Sequence, residues 1–407
     1  MMVPKLRFNE FKKDWQQKKI GDVFTIFSGF TFKSTDATTS GCRWLKIADV
    51  GCQVMTPNTP SFLPSHFSTE YHRFLIREDD CVVALTRPIL NGKLKVAIAG
   101  KEYDGSLLNQ RVGKIITKNN IGFIFSLLQM ESTVSKINDC IAGTDPPNLS
   151  TQDIKDMMVL IPTIEEQTKI ADFLYSVEER ITLLNKQHDL LCQYKKGMMQ
   201  KVFNQEVRFN DDNGKPFPKW NTLQLKEVAI RVTRKNKENN NTILTISGRD
   251  GLVDQMTYFN KQIASKNVTG YYLIRKGEFA YNKSYSQGYP MGAIKMLSNY
   301  EKGVVSTLYI CFKLNDEQSC DFYQHYFESG LQNRAIEKVA QEGARNHGLL
   351  NIGVNDFFDI ELQVPSLAEQ NKIARFLSAI EDKIAIKRAE LDMLKKWKQG
   401  LLQQMLV

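Results

Sequence analysis

The sequence has no apolar run near the ~18 residues that a membrane-spanning helix requires. Its opening, MMVPKLRFNEF, carries no hydrophobic signal segment. A membrane span and a cleaved signal are therefore not expected. Seven cysteines (42, 52, 81, 140, 192, 311 and 320) are odd in number and include no C-x-x-C pair. A disulfide framework and a zinc cluster are disfavoured, and a reducing cytoplasmic setting fits best. No G-x-x-x-x-G-K-[ST] loop is present to hold a nucleotide, and no Gly-x-Gly loop follows a strand to cradle a cofactor. The five histidines (66, 72, 188, 325 and 347) show neither metal spacing nor an evident nucleophile partner. The chain reads as lacking a catalytic centre and a cofactor site of its own.

Two short stretches imitate catalytic motifs. Asp145-Pro146-Pro147-Asn148 resembles the Asp/Asn-Pro-Pro-aromatic motif of amino-methyltransferases, in which an aromatic ring stacks on a flipped base. Asn148 cannot stack, so a proline-stiffened loop leading into the next helix is the better reading. Glu381-Asp382-Lys383 imitates the E-x-K of restriction nucleases but falls on a helix flank, where a solvated face is expected.

What the chain does have is size, charge and repetition. At 407 residues it exceeds what one hydrophobic core usually organises. Its 54 basic against 45 acidic residues leave +9, a moderate excess that favours a polyanionic partner. Residues 162–203 align with 365–406 at an offset of 203, and fifteen of the 42 aligned positions are identical. Weaker echoes join LRF (6–8) to VRF (207–209), DWQQKKIGDVF (14–24) to KWNTLQLKEVA (219–229), and FLIREDD (74–80) to YLIRKGE (272–278). The chain is a tandem of two units of about 200 residues, each a variable module followed by a matched helix.

Both helices open on Pro followed by Thr163-x-x-Glu166 or Ser366-x-x-Glu369, the pattern of a capping box. Steps of four and three pick out Ile170, Leu174, Val177, Ile181, Leu184, His188, Leu191, Lys195 and Met198. In the second helix the same positions are Ile373, Leu377, Ile380, Ile384, Lys387, Leu391, Leu394, Lys398 and Leu401. Seven of nine are apolar in each, the period of a coiled-coil seam. The alternative is a helix lying on its own domain. Lys195 and Lys398 share one seam position, where they either fix register or mark fraying towards Gly197 and Gly400. A helix from about Thr163 to Gly197 has roughly 34 residues, or about 50 Å.

The modules read as α+β. Short strand-like runs (GDVFTIFSGF, WLKIADV, CVVALT, KVAIAG and VGKIIT) precede a helical stretch at about 121–139. LQLKEVAIRV, TILTISG, EFAYNK, GAIKM and VVSTLYICFKL precede another at about 319–341, giving a loop-rich, mostly antiparallel sheet in each. FNDDNGKPFPK (209–219) reads as a linker. The loops carry side chains suited to bases and phosphates. In the first unit these are Arg87 in Thr86-Arg87-Pro88, Asn91 and Lys93 around Gly92, and Asn109-Gln110-Arg111. The second unit offers Lys283, Ser284 and Tyr285, with Ser306-Thr307, and Arg345-Asn346 in a further loop. Taken singly, each has an ordinary reading as turn chemistry; recurrence at matching positions favours DNA contact.

With these features the chain resembles the specificity subunits of type I restriction-modification enzymes. The resemblance rests on the two-fold repeat and on P-[ST]-x-x-E-Q-x-K-I-A-x-F-L at 162–174 and 365–377. It also rests on Lys195-Lys196-Gly197 and Lys398-Gln399-Gly400, TRP (86–88) and GARNHGLLNIGVNDF (343–357). It implies two loop-rich target-recognition domains (1–158 and 205–361), separated by two long helices (159–204 and 362–407) that form an antiparallel coiled coil. Each domain would read one half of an asymmetric bipartite site in double-stranded DNA. The coil would hold the domains apart and dock two methyltransferase subunits, through which restriction and translocase subunits join. S-adenosylmethionine, ATP and magnesium would belong to those partners. The alternatives from the residues are a self-contained DNA methyltransferase or nuclease, and a coiled-coil adaptor that does not bind DNA.

Overall fold

Two modules with one strand order emerge from the two halves. The structure, a computed structural model, describes residues 3–56, 59–141, 146–248, 250–259, 268–286, 288–340 and 350–406. It divides into one unit of residues 1–186 with 389–407 and a second of residues 187–388, so each unit takes a module and part of both long helices.

In the first unit, strands Phe24–Ser28, Val112–Thr117, Cys81–Ala84 and Val96–Ile98 lie side by side in that order, all antiparallel. Ala229–Arg231, Ile310–Leu314, Phe279–Asn282 and Ala293–Met296 repeat the order in the second. The central strands are short runs buried along their length, such as Cys81-Val82-Val83-Ala84, because both faces are covered. In each unit an early strand pairs with the strand leading into the long helix: Gln16–Lys19 with Met158–Ile161, and Asn221–Gln224 with Glu361–Val364. These pairs close the module onto its helix. Smaller ladders complete the modules, and only Cys42–Leu45 with Leu107–Leu108 runs parallel among the described ladders.

Each stretch expected as one helix is two. Ile121–Leu127 and Glu131–Ile141 are separated by a turn. Cys320–Ser329 ends at Gly330, whose φ of 77° supplies the left-handed cap that stops the helix before Asn333–Val339. The linker expected at 209–219 is a closed turn. Asp211 N–H donates to Lys215 O (2.7 Å), and Phe209 packs on Phe376 of the second long helix.

The long helices run Ile164–Phe203 and Leu367–Met405, 40 and 39 residues. They do not end at Gly197 and Gly400. A mid-helix glycine costs about 1 kcal/mol against alanine. Here good helix formers follow it, and the burial of Val202, Phe203, Leu401 and Leu402 offsets the cost. All eighteen expected seam positions are buried or half-buried. Ile170, Leu174, Val177, Ile181 and Leu184 belong to the first unit's core with Leu391 and Leu401. Within that unit Phe173 meets Trp397 (ring centroids 6.0 Å apart) and Arg180 meets Glu390 (3.6 Å). Advancing along one helix means retreating along the other, so the pairing is antiparallel.

The Glu-Gln pair of the repeated motif ties module to helix. Neither Glu166 nor Glu369 folds back as the capping-box reading expected. Both oxygens of Glu166 accept from Arg7 (2.7 and 2.8 Å), and Trp15 Nε1 adds a third bond at 3.2 Å. Glu369 takes the fork of Arg208 in the same way (3.1 and 2.7 Å). Bidentate pairing supplies the hydrogen bonds that offset the burial of these carboxylates, which are only 1% and 0% exposed. Gln167 accepts from Asn120 N–H and donates to Asn119 and Pro162 O, each at 3.0 Å. Gln370 does the same with Ser319, Gln318 and Pro365. Asn120 and Ser319 are themselves the N-caps of the first module helices.

Candidate nucleic-acid interface

The sheet register brings three loop roots together at one end of the first module. Gly113 faces Ser28 and Val112 faces Ala84, so the loops after Ser28, after Ala84 and before Val112 leave side by side. Gly29 makes this possible. A Cβ there would lie 2.1 Å from Leu108 O, so only glycine lets the two loops approach. Thr31 then donates to Gln110 Oε1 across the gap. Arg87 is exposed and held at φ 47°, left-handed, directly before Pro88. Both features disfavour this backbone for a non-glycine residue. The brace is the stretch that imitates a methyltransferase motif. Arg87 N–H donates to Pro147 O (2.8 Å), and Thr86 Oγ1 donates to Asn148 Oδ1 (2.7 Å). Strain held in place at an exposed arginine marks a positioned side chain. Asp145 lies outside the described residues.

Asn109, Gln110 and Arg111 form a tight turn. Val112 N–H donates to Asn109 O (2.9 Å), and Arg111 N–H donates to Asn109 Oδ1 (3.0 Å). Asn109 is therefore spent on the turn, half-buried, while Gln110 and Arg111 are exposed. Leu85 N–H donates to Arg111 O (2.8 Å), setting the turn beside the Arg87 loop. Asn91 and Lys93 go elsewhere. Asn91 (φ 50°) and Gly92 (φ 73°) are the two turn residues of a hairpin joining Ile89–Leu90 to Lys93–Leu94, the geometry that selects Asn-Gly. The hairpin tip lines a cleft of about 920 Å³ with Gln53, Gln129, Lys395 and Lys396.

In the second module the loops after Arg231, after Asn282 and before Ile310 share one end. Lys283 and Ser284 are half-buried and Tyr285 is 64% exposed. Lys283 braces the returning chain: its O accepts from Leu350 N–H (3.0 Å) and its Nζ reaches Ile352 O (3.4 Å). Leu85 O accepts from Leu149 N–H (2.7 Å) at the corresponding place in the first unit. Arg345 and Asn346 lie outside the described residues.

Nucleophilic chemistry finds no support in the buried thiols. Burial pushes Cys81 far above the ordinary thiol range and Cys311 up to about 12, so both stay protonated near neutral pH.

Two copies of one α+β module, each with polar loops gathered at one sheet end and docked on a share of an antiparallel helix pair, define a duplicated recognition scaffold. The family profile described as "Type I restriction modification DNA specificity domain" matches residues 12–193 and again 191–396. The chain belongs to that family, with two copies of its domain. It is 31% identical over 212 residues to the type I restriction enzyme MjaVIII specificity subunit of Methanocaldococcus jannaschii, covering 51% of this chain and 50% of the relative. It is 29% identical over 182 residues to the EcoAI specificity subunit of Escherichia coli, covering 44% and 30%. The matched stretches thus span half or less of those relatives. Among solved structures, the type I restriction-modification S subunit from M. genitalium shares the fold. Its TM-score is 0.60 at 15% identity, over 100% of this chain and 99% of that one. The HsdS subunit from Thermoanaerobacter tengcongensis gives 0.50 at 16%, over 98% of each.

Proposed function

We infer that this chain is the DNA-specificity subunit of a type I restriction-modification complex, and that each module reads one half of an asymmetric bipartite site. The observation that carries this is the recurrence of one loop cluster on one sheet end in both modules, with different exposed side chains in each. A scaffold kept constant under changed tips is what two readers of different sequences require. Arg87, Gln110 and Arg111 serve the first half-site, and Lys283, Ser284 and Tyr285 the second, with Arg345 and Asn346 in the same role. Methyl transfer, cleavage and translocation belong to partner subunits, which hold S-adenosylmethionine, ATP and magnesium.

Docking of two copies of one methyltransferase partner is supported by a second repeat. Leu183, Met393 and Trp397 are exposed in the first unit, and Ile386, Leu190 and Tyr194 in the second, matched pairwise at the offset of 203. Exposed apolar side chains recurring in this way mark a surface used twice by the same partner.

The function is tested by sequencing methylated sites in cells expressing the chain with its methyltransferase. Binding is then measured on duplexes scrambled in one half-site at a time, at fixed salt. Each scrambled half should lower affinity, and Arg111→Ala should reduce the penalty for the first half while leaving that for the second unchanged. Equal binding to native and fully scrambled duplexes refutes the reading, as does methylation by the chain without a partner.

A further inference from the structure

The second module's turn before Ile310 copies the first module's turn before Val112. In Ser306–Tyr309, Tyr309 N–H donates to Ser306 O (3.1 Å) and Leu308 N–H donates to Ser306 Oγ (3.3 Å). These are the same two bonds that Asn109 makes to Val112 and Arg111. Position by position, Ser306 replaces Asn109, Thr307 replaces Gln110 and Leu308 replaces Arg111. The flanking loops correspond as well. Cys81 faces Ile98 as Phe279 faces Met296, so Arg87 of the first loop becomes Tyr285 of the second. Two exposed guanidinium groups in one module are thus exchanged for a leucine and a tyrosine in the other.

Leu308 is 68% exposed at the third position of a tight turn, where polar residues or glycine normally stand. Nothing in the turn needs an apolar side chain, because Tyr309 rather than Leu308 packs inward, with its hydroxyl 3.4 Å from Thr245 Oγ1. In the major groove an arginine pairs with guanine, whereas an apolar side chain meets the one apolar group there, the thymine 5-methyl.

Resting on the reading of these loops as DNA contacts, we propose that Leu308 is a specificity-determining residue. It selects a thymine in the second half-site through its 5-methyl group, at the position where the first module uses Arg111 to select guanine. The two half-sites differ in kind: the first carries guanine opposite Arg111, and the second carries an A·T pair opposite Leu308.

The test uses the full chain with its methyltransferase partner and the duplex read from the methylated sites. Each thymine of the second half-site is replaced in turn by deoxyuridine, which removes only the methyl group. One replacement should weaken wild-type binding roughly threefold to tenfold, the worth of one buried methyl. Leu308→Ala should bind the native duplex as weakly and show no further loss on that replacement, and Arg111→Ala should keep the full loss. The proposal is overturned if no deoxyuridine weakens binding, or if Leu308→Ala retains the whole penalty. It is also overturned if Leu308→Ala impairs assembly with the partner while leaving all DNA ratios unchanged, which would make Leu308 a protein contact. Wild-type indifference to scrambling either half-site would instead bring down the DNA-reading function itself.

Discussion

Lys195 of the first long helix is ion-paired with Glu381 of the second, and Lys398 with Glu178 (2.6 Å), so one contact is made twice at the repeat offset of 203. Glu381 is therefore a seam partner and not merely the solvated flank that its place on the helix suggested. A lysine in a mostly apolar seam stabilises little by itself, yet it penalises every register that leaves it unpaired. In the first unit Lys398 also lies 3.5 Å from Gln129 Oε1, which gives its amine a second acceptor.

Charge reversal tests that pairing. Lys195→Glu sets two carboxylates against each other and should lower the unfolding midpoint, and adding Glu381→Lys should restore most of it. A coupling of about 1 kcal/mol is expected for a half-exposed pair in a double-mutant cycle. If the reversed pair is no better than the single variant, the contact does not set register.

The buried carboxylates should be far more sensitive. Removing the arginine fork in Arg7→Ala or Arg208→Ala strands Glu166 or Glu369 as a charge almost wholly out of water. The loss of stability should be about 3–5 kcal/mol, read from urea unfolding. Lysine cannot reproduce the bidentate geometry, so Arg7→Lys should recover only part. Glu166→Gln combined with Arg7→Ala should be milder than Arg7→Ala alone, because the stranded charge is gone.

The second module should be acid-sensitive through His325. This side chain is 2% exposed, with Nε2 3.1 Å from Ser378 Oγ and Nδ1 3.9 Å from Glu381. Burial pushes its imidazole below the ordinary value; Glu381, Asp321 and Glu328 pull it up, and Lys195 pushes it down. The folded chain therefore binds this proton less readily than the unfolded chain, whose histidine titrates near pH ~6.5. Stability is whole above that pH and is lost as the pH falls through it towards the lower folded value. Denaturation midpoints between pH 7.5 and 5 should drop for the wild type, and His325→Gln, which can keep the Ser378 bond, should flatten that part of the slope.

The helix seam and the duplication were legible because both are written locally: a heptad shows in forty consecutive residues, and a tandem copy shows by offset. The α+β class and most sheet strands followed from short apolar runs between turn residues. The Arg7–Glu166 tie was not legible, since 159 residues separate its ends and the LRF echo carries no sign of a partner. The same local pattern that suggested a capping box hid the longer-range use of Glu166. Among the loop residues, Arg87 and Arg111 stood out by type. Asn91 owes its place to an Asn-Gly turn, and Asn109 to holding Arg111. Leu308 was passed over because an apolar residue in a loop gives no chemical signal until the turn around it is seen to match another.

The repeated apolar stripe separates docking from reading. Met393→Ser with Trp397→Ser alters exposed side chains in the first unit, and Leu190→Ser with Tyr194→Ser alters their counterparts in the second. Trp397 also touches Phe173, so the first pair should lower stability slightly, within about 1 kcal/mol. Native mass spectrometry of the chain mixed with its methyltransferase should show two copies bound to the wild type and one to either double variant. All four substitutions together should leave the chain unpartnered but folded, with its own DNA preference intact in a binding series at fixed salt. A quadruple variant that still carries two copies would place docking on another surface, and one that assembles normally but loses half-site preference would assign the stripe to DNA.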